Sequence, residues 1–201
     1  MNNEIPVFLF NGFLDSGKTT LIKEIIESDK GYQGYNTLII ATEDGEVEYD
    51  LNWQKKYEVN VVIVNDDEYK EELYFYELVK TYRPKQIVIE LNAFIDFNEF
   101  RLPRNFAIYQ EITLFDTTKF ELYFNNMKPL INQMVQYSSL IVFNRCSKNE
   151  NLGKYRRNIR AFNPAPSVWS ISNGIRMKIL KTEVVDNINL GVKLKEGKVI
   201  V

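Results

Sequence analysis

An apolar run, IPVFLF (5–10), gives way to NGFLDSGKTT (11–20), which leads into the helix-like LIKEIIES (21–28). The spacing of Gly12, four residues, then Gly17-Lys18-Thr19 constrains the chain more than any other feature. Glycines stand where backbone must approach phosphate oxygens, Lys18 can reach the outer phosphates of a nucleotide, and the Thr19 hydroxyl can ligate Mg2+. Because the following residues are helical, the amides of about residues 15 to 20 would face an anion from a helix N-terminus, supported by its dipole. The expected phosphate-binding set is Gly12, Asp15, Ser16, Gly17, Lys18, Thr19 and Thr20.

Seven runs rich in aliphatic and aromatic residues read as strands, at 5–10, 36–42, 60–65, 85–92, 106–116, 139–144 and 166–172. Several are apolar at consecutive positions, the pattern of strands covered on both faces. Helical patterns lie between them at 18–29, 68–82, 118–137 and 151–162. This alternation predicts an α/β fold in three layers, a mostly parallel central sheet with helices on both faces, with ligands at the carboxyl ends of the strands. Residues 1–201 are expected to form a single domain, its Val-rich tail (177–201) adding a strand or hairpin.

Composition removes several kinds of chemistry. Lys and Arg number 25 against 27 Asp and Glu, a formal charge of −2, so neither nucleic acid nor an anionic membrane is an expected partner. Histidine is absent and Cys146 is the single cysteine, which excludes His-ligated zinc, His-dependent triads and a disulfide within the chain. No apolar run reaches the roughly 18 residues of a membrane helix. The N-terminus has no basic residue ahead of its short apolar run, so it does not read as a signal peptide and cytoplasmic residence is the expectation.

The order of further motifs resembles the CobW/HypB/UreG family of P-loop GTPases, and its CobW branch in particular. IPVFLFNGFLDSGKTTLI looks like that branch's opening strand and loop, with Asp15 in place of a glycine. TEDGEVEYD (42–50) is similar to the family's Asn-Glu-x-Gly-Glu-x-x-x-Asp, matching Glu43, Gly45, Glu46 and Asp50. IVIELNAF (87–94) looks like the Walker B strand, with Glu90 on the acidic position and Ala93 where glycine is usual. ITLFDTTKF (112–120) resembles the next strand, and NQMVQYSSLIVFNRCS (132–147) the segment ending in Asn-Lys-x-Asp, with Asn144 and Arg145 on its first two positions. NPAPSVW (163–169) matches more loosely.

The resemblance implies a P-loop NTPase fold that binds GTP with Mg2+. It implies Lys18 and Glu90 as catalytic residues, Thr19, Glu90 and Glu43 around the metal, and Asn144 and Arg145 at the base. The residues themselves agree in part. Glu90 ends an apolar strand, where a carboxylate suits Mg2+ held directly or through water. Glu43, Asp44 and Glu46 either sense the γ-phosphate or a metal, or form a solvated acidic loop. Asp116 is as fit to cap a helix as to serve Mg2+. Gln133 reads as the polar face of a helix, and KYRRNIR (154–160) as a solvated helix face in preference to a site for an anion.

Three departures qualify the expected function. Ser147 stands where the family has Asp, and a hydroxyl cannot make the charged bidentate contact to guanine, so base preference should weaken by about 1–3 kcal/mol and ATP stays open beside GTP. The family's Cys-x-Cys-Cys is absent, leaving oxygen ligands that suit Mg2+, Ca2+ or Mn2+ and grip Zn2+, Ni2+ or Co2+ poorly. Only a short stretch follows the nucleotide fold, so a homodimer or a separate partner would replace the branch's second domain. The expected function is a slow, Mg2+-dependent GTP hydrolase that switches the affinity for an unidentified client protein through loops at 42–50 and 92–105. Its alternatives are a nucleotide-binding sensor with little hydrolysis and a small-molecule kinase, the latter without an evident Arg-rich lid.

Overall fold

A computed structural model describes residues 4–28, 36–43, 45, 47–64, 67–147, 151–172, 176–179, 193–195 and 198–200. In chain order the elements are β1 (Ile5–Gly12), α1 (Lys18–Ser28), β2 (Thr37–Ala41), α2 (Leu51–Tyr57), β3 (Val59–Ile63), α3 (Glu72–Tyr82), β4 (Gln86–Asn92) and β5 (Phe106–Asp116). They continue with α4 (Thr117–Asn126), α5 (Lys128–Val135), β6 (Leu140–Cys146), α6 (Leu152–Arg160), β7 (Ser167–Ser172), β8 (Arg176–Ile179), β9 (Lys193–Lys195) and β10 (Lys198–Ile200). One sheet runs in the order β3-β2-β4-β1-β5-β6-β7-β8. Its first seven strands are parallel, β8 lies antiparallel on β7, and β9 and β10 form a separate antiparallel pair.

The unbroken apolar runs have the cause their pattern suggests. On β1, Phe8 and Phe10 pack on one face with Leu21, Ile22 and Ile26 of α1 and Trp53 of α2. Val7 and Leu9 pack on the other with Phe75 of α3. That second face continues as a cluster in which Phe115, Phe120, Phe143 and Tyr155 meet ring to ring under α4, α5 and α6. Neighbouring residues therefore need to be apolar in turn, because each face has its own helical layer.

Two helices differ from the sequence reading. The pattern over 118–137 predicts one helix, but the chain divides at Met127, with Pro129 in the first turn of α5. A proline there cannot donate to a preceding turn and its ring would crowd the carbonyl four residues back, while it suits a helix start. Helix α2, absent from the pattern, is only seven residues long. Asp50 caps it by accepting from the amides of Asn52 and Trp53, and Trp53 and Tyr57 anchor it.

The chain lays β2 and β3 to one side of β1, returns to place β4 beside it, then continues on the other side with β5. Such a reversal opens a crevice at the carboxyl ends of the strands. Far from that edge, Glu111 sits half-buried in β5, and burial pushes its carboxyl up from 4.5 to about 7. A fold that favours the neutral acid is most stable below about 4.5 and loses stability as pH rises from there to about 7. The full difference corresponds to about 3 kcal/mol, which solvent screening reduces to about 1–2. Glu111→Gln is accordingly expected to raise the unfolding free energy at pH 8 by that amount and to leave it unchanged near pH 4.5, as measured by urea denaturation.

Candidate nucleotide site

The residues singled out in the sequence gather at this edge. Gly12 closes β1, and an added Cβ there would come within 2.6 Å of Ser16 Oγ. Ser16 is buried and its hydroxyl has no hydrogen-bond partner among the described residues. Asp15, standing for a glycine, takes φ 59°, the left-handed region that short polar residues tolerate better than others. Gly17 has φ 100°. Lys18, Thr19 and Thr20 form the first turn of α1, which carries no acidic side chain to compete with an anion.

The Lys18 side chain turns back over the loop. Its ammonium, 2% exposed, donates to the carbonyls of Gly12 and Phe13, both at 2.9 Å, and pairs with the Glu43 carboxylate. Thr19 Oγ1 donates to Glu90 Oε1 at 2.6 Å, and Tyr49 donates its hydroxyl to Glu90 Oε2 at 2.6 Å. Burial raises the Glu90 carboxyl above its usual value and Glu43 adds to this, against the hydrogen bonds from Thr19 and Tyr49 and the charge of Lys18. Burial also raises the Tyr49 hydroxyl, and the neighbouring Glu90 charge reinforces it. Of the three metal candidates, Thr19 and Glu90 are in contact, whereas Glu43 is held by Lys18 and by the side-chain amide of Asn92. Asp44 and Glu46 lie outside the described residues.

Other predicted positions fall into supporting places. Asn144 donates from its side chain to Ser16 O at 3.0 Å, tying the end of β6 to the loop. Arg145, at φ 56°, donates to Asp15 O at 2.7 Å and pairs with Asp116. Asp116 caps α4 through the amide and hydroxyl of Thr118. Burial acts to raise its carboxyl, but Thr118 and Arg145 outweigh that and hold it below its ordinary value. Ala93 is buried beside Phe13 and Phe115, and its amide donates to Gly12 O at 3.1 Å. Gln133 is exposed on α5. In the 154–160 stretch, Tyr155 and Ile159 are buried while Lys154 pairs with Glu121. Sequence reasoning missed Tyr49, Thr42 and Asn92. Thr42 Oγ1 accepts from the Asn92 amide at 2.8 Å, so these residues bind the 42–50 loop to the end of β4. No sequence signal marks Tyr49 beyond its place beside Asp50, the helix cap.

The donor set fits a nucleotide with Mg2+. An orphaned buried hydroxyl and a lysine lie in a glycine-bearing loop, and a threonine hydroxyl touches a carboxylate, all hard oxygen chemistry with no thiolate or imidazole.

A parallel sheet whose central strand ends in such a loop ahead of a helix defines a P-loop nucleotide-binding fold. The chain belongs to the CobW/HypB/UreG family, whose nucleotide-binding domain matches residues 6–169. No curated protein matches it in sequence. Solved structures of similar fold include the hydrogenase maturation factor HypB from Archaeoglobus fulgidus, at 13% identity over 85% of this chain and 82% of that one, with a TM-score of 0.59. HypB from Helicobacter pylori, solved in complex with nickel, is 12% identical over 85% and 80% of the two chains, with a TM-score of 0.59. FlhF complexed with GMPPNP and Mg2+ is 12% identical over 85% and 67%, with a TM-score of 0.51. At these identities the likeness is one of fold. Among the described residues no helix is long and apolar enough to cross a membrane.

Proposed function

We propose that the protein is a Mg2+-dependent guanine-nucleotide switch of the cytoplasm, a slow GTP hydrolase whose 42–50 loop changes its hold on a client protein or a second copy of the chain. The observation that carries this reading is the 2.6 Å contact between the Thr19 hydroxyl and the Glu90 carboxylate beside the buried Lys18 ammonium. Thr19 and Glu90 would hold Mg2+, which keeps several waters and takes one or two carboxylates together with phosphate oxygens. Held there, the ion would supply positive charge to offset the negative charge of the phosphates. Lys18 would meet the same oxygens; Gly12, Asp15, Ser16, Gly17 and Thr20 would line the phosphates, and Asn144 and Arg145 the base. Glu43 on Lys18 and Tyr49 on Glu90 tie the loop to these residues, so a change of phosphate would reach it.

The same contacts support the reading of slow turnover. Glu43 and Glu90 are both engaged by hydrogen bonds or ion pairing, which leaves neither as a free base for an attacking water. That observation also favours a second reading, a nucleotide sensor with little hydrolysis, and phosphate release at saturating GTP distinguishes the two. The oxygen donors of the site do not suit delivery of a soft transition metal. The chain has no histidine, and its one cysteine is buried, donating to Phe143 O.

Calorimetry with GTP, GDP, ATP and ADP, with and without Mg2+, tests the ligand. Guanine nucleotides are expected to bind more tightly, with Mg2+ strengthening the triphosphate; tighter adenine binding would replace this reading with an ATP-specific one. Ser147→Asp is expected to raise the preference for GDP over ADP about tenfold or more, because a carboxylate supplies the charged acceptor that a hydroxyl lacks.

A further inference from the structure

The Glu90 carboxylate is 3% exposed and both its oxygens accept a hydroxyl, Oε1 from Thr19 and Oε2 from Tyr49, each at 2.6 Å. Thr19 belongs to the phosphate loop's own helix, but Tyr49 comes from the 42–50 loop. Its place is fixed from several sides. The Tyr49 carbonyl accepts from Gln54 Nε2 at 2.6 Å, its ring lies 5.5 Å from that of Trp53, and Asp50, the next residue, caps α2. Trp53 in turn donates its indole N–H to Glu27 Oε1 of α1 at 2.7 Å. The contacts close a ring that leaves α1 at Glu27, passes through Trp53, Tyr49 and Glu90, and returns to α1 at Thr19.

We propose that Tyr49 is a positioning residue for the metal carboxylate, holding Glu90 Oε2 so that only Oε1, on the Thr19 side, is presented to the ion. This rests on the assignment of Thr19 and Glu90 to Mg2+ above. A carboxylate with one oxygen retained by a phenol binds in one-oxygen fashion, as a small octahedral ion requires. A freed carboxylate can turn and use both oxygens, as the larger Ca2+ accepts. Tyr49 therefore selects for the smaller ion as well as strengthening its binding, and it makes the position of the 42–50 loop a condition of metal binding. A partner of a metal-ligating carboxylate commonly contributes 10–100-fold in metal affinity.

The test titrates Mg2+ and Ca2+ separately into the full chain carrying a fluorescent guanine nucleotide, in wild type and Tyr49→Phe, with Glu90→Gln as reference. Tyr49→Phe keeps the ring against Trp53 and removes the hydroxyl alone, and thermal unfolding checks that the fold is kept. The expected result is unchanged nucleotide affinity in EDTA, a Mg2+ half-saturation raised about tenfold, and a smaller rise or none for Ca2+. Equal Mg2+ half-saturation in the two proteins would overturn the role of Tyr49 while leaving the metal site standing. Loss of affinity in EDTA as large as in Mg2+ would also overturn it, since Tyr49 would then support the loop in general. Wild-type binding indifferent to Mg2+ and to Glu90→Gln would overturn the metal assignment itself, and the inference with it.

Discussion

Lys18→Ala is expected to lower affinity for a nucleoside triphosphate with Mg2+ by at least about 100-fold in calorimetry. The ammonium is 2% exposed and sits over the loop, against the carbonyls of Gly12 and Phe13. Phosphate oxygens entering there would meet it in a water-poor setting, where a hydrogen bond to a charged group contributes about 1.5–3 kcal/mol, and two such contacts give the stated loss. The same substitution leaves the Glu43 carboxylate, 10% exposed, without its cation, so stability should fall by about 2–4 kcal/mol. Lys18→Ala/Glu43→Gln separates the two effects, because stability should largely return while binding should not. Equal affinity in wild type and Lys18→Ala would remove the phosphate-loop reading altogether.

The sequence carried the sheet well because both of its faces are covered. The inner parallel strands β1, β2, β4 and β6 had to be nearly continuous apolar runs, and such runs are visible without knowing their neighbours. The phosphate loop was visible for a related reason, since glycine, lysine and threonine are required at fixed spacing by one ligand. What lay hidden depends on pairings distant in the chain. Glu43 is a plausible metal ligand by position in a motif, yet it lies on Lys18 and Asn92, contacts set by how the ends of β1, β2 and β4 abut. Asp116 could be read as cap or metal residue, and only its contacts with Thr118 and Arg145 place it as a cap. Tyr49 is one of 12 tyrosines, and nothing local distinguishes it until the carboxylate 41 residues away is seen to accept its hydroxyl.

Gly17→Ala is expected to disable the site through backbone alone. At φ 100° an L-residue is strained by about 1–3 kcal/mol, and unlike Asp15 at φ 59° this position lies outside the region short polar side chains tolerate. An added methyl would also fall 2.3 Å from Asn144 Nδ2, the group that donates to Ser16 O. Either Asn144 withdraws, releasing the loop carbonyl at a cost of about 1 kcal/mol, or the loop shifts and its amides no longer converge on one anion. Together these lower the unfolding free energy by about 3 kcal/mol, and nucleotide binding falls below detection at micromolar protein. Gly17→Ala/Asn144→Ala divides the two causes, because it removes the overlap and keeps the strain. The double variant, which has no overlap but also lacks the Asn144 bond to Ser16 O, should therefore be about as stable as Gly17→Ala and still bind weakly, as expected if Gly17 serves the loop through its conformation as well as through the space it leaves.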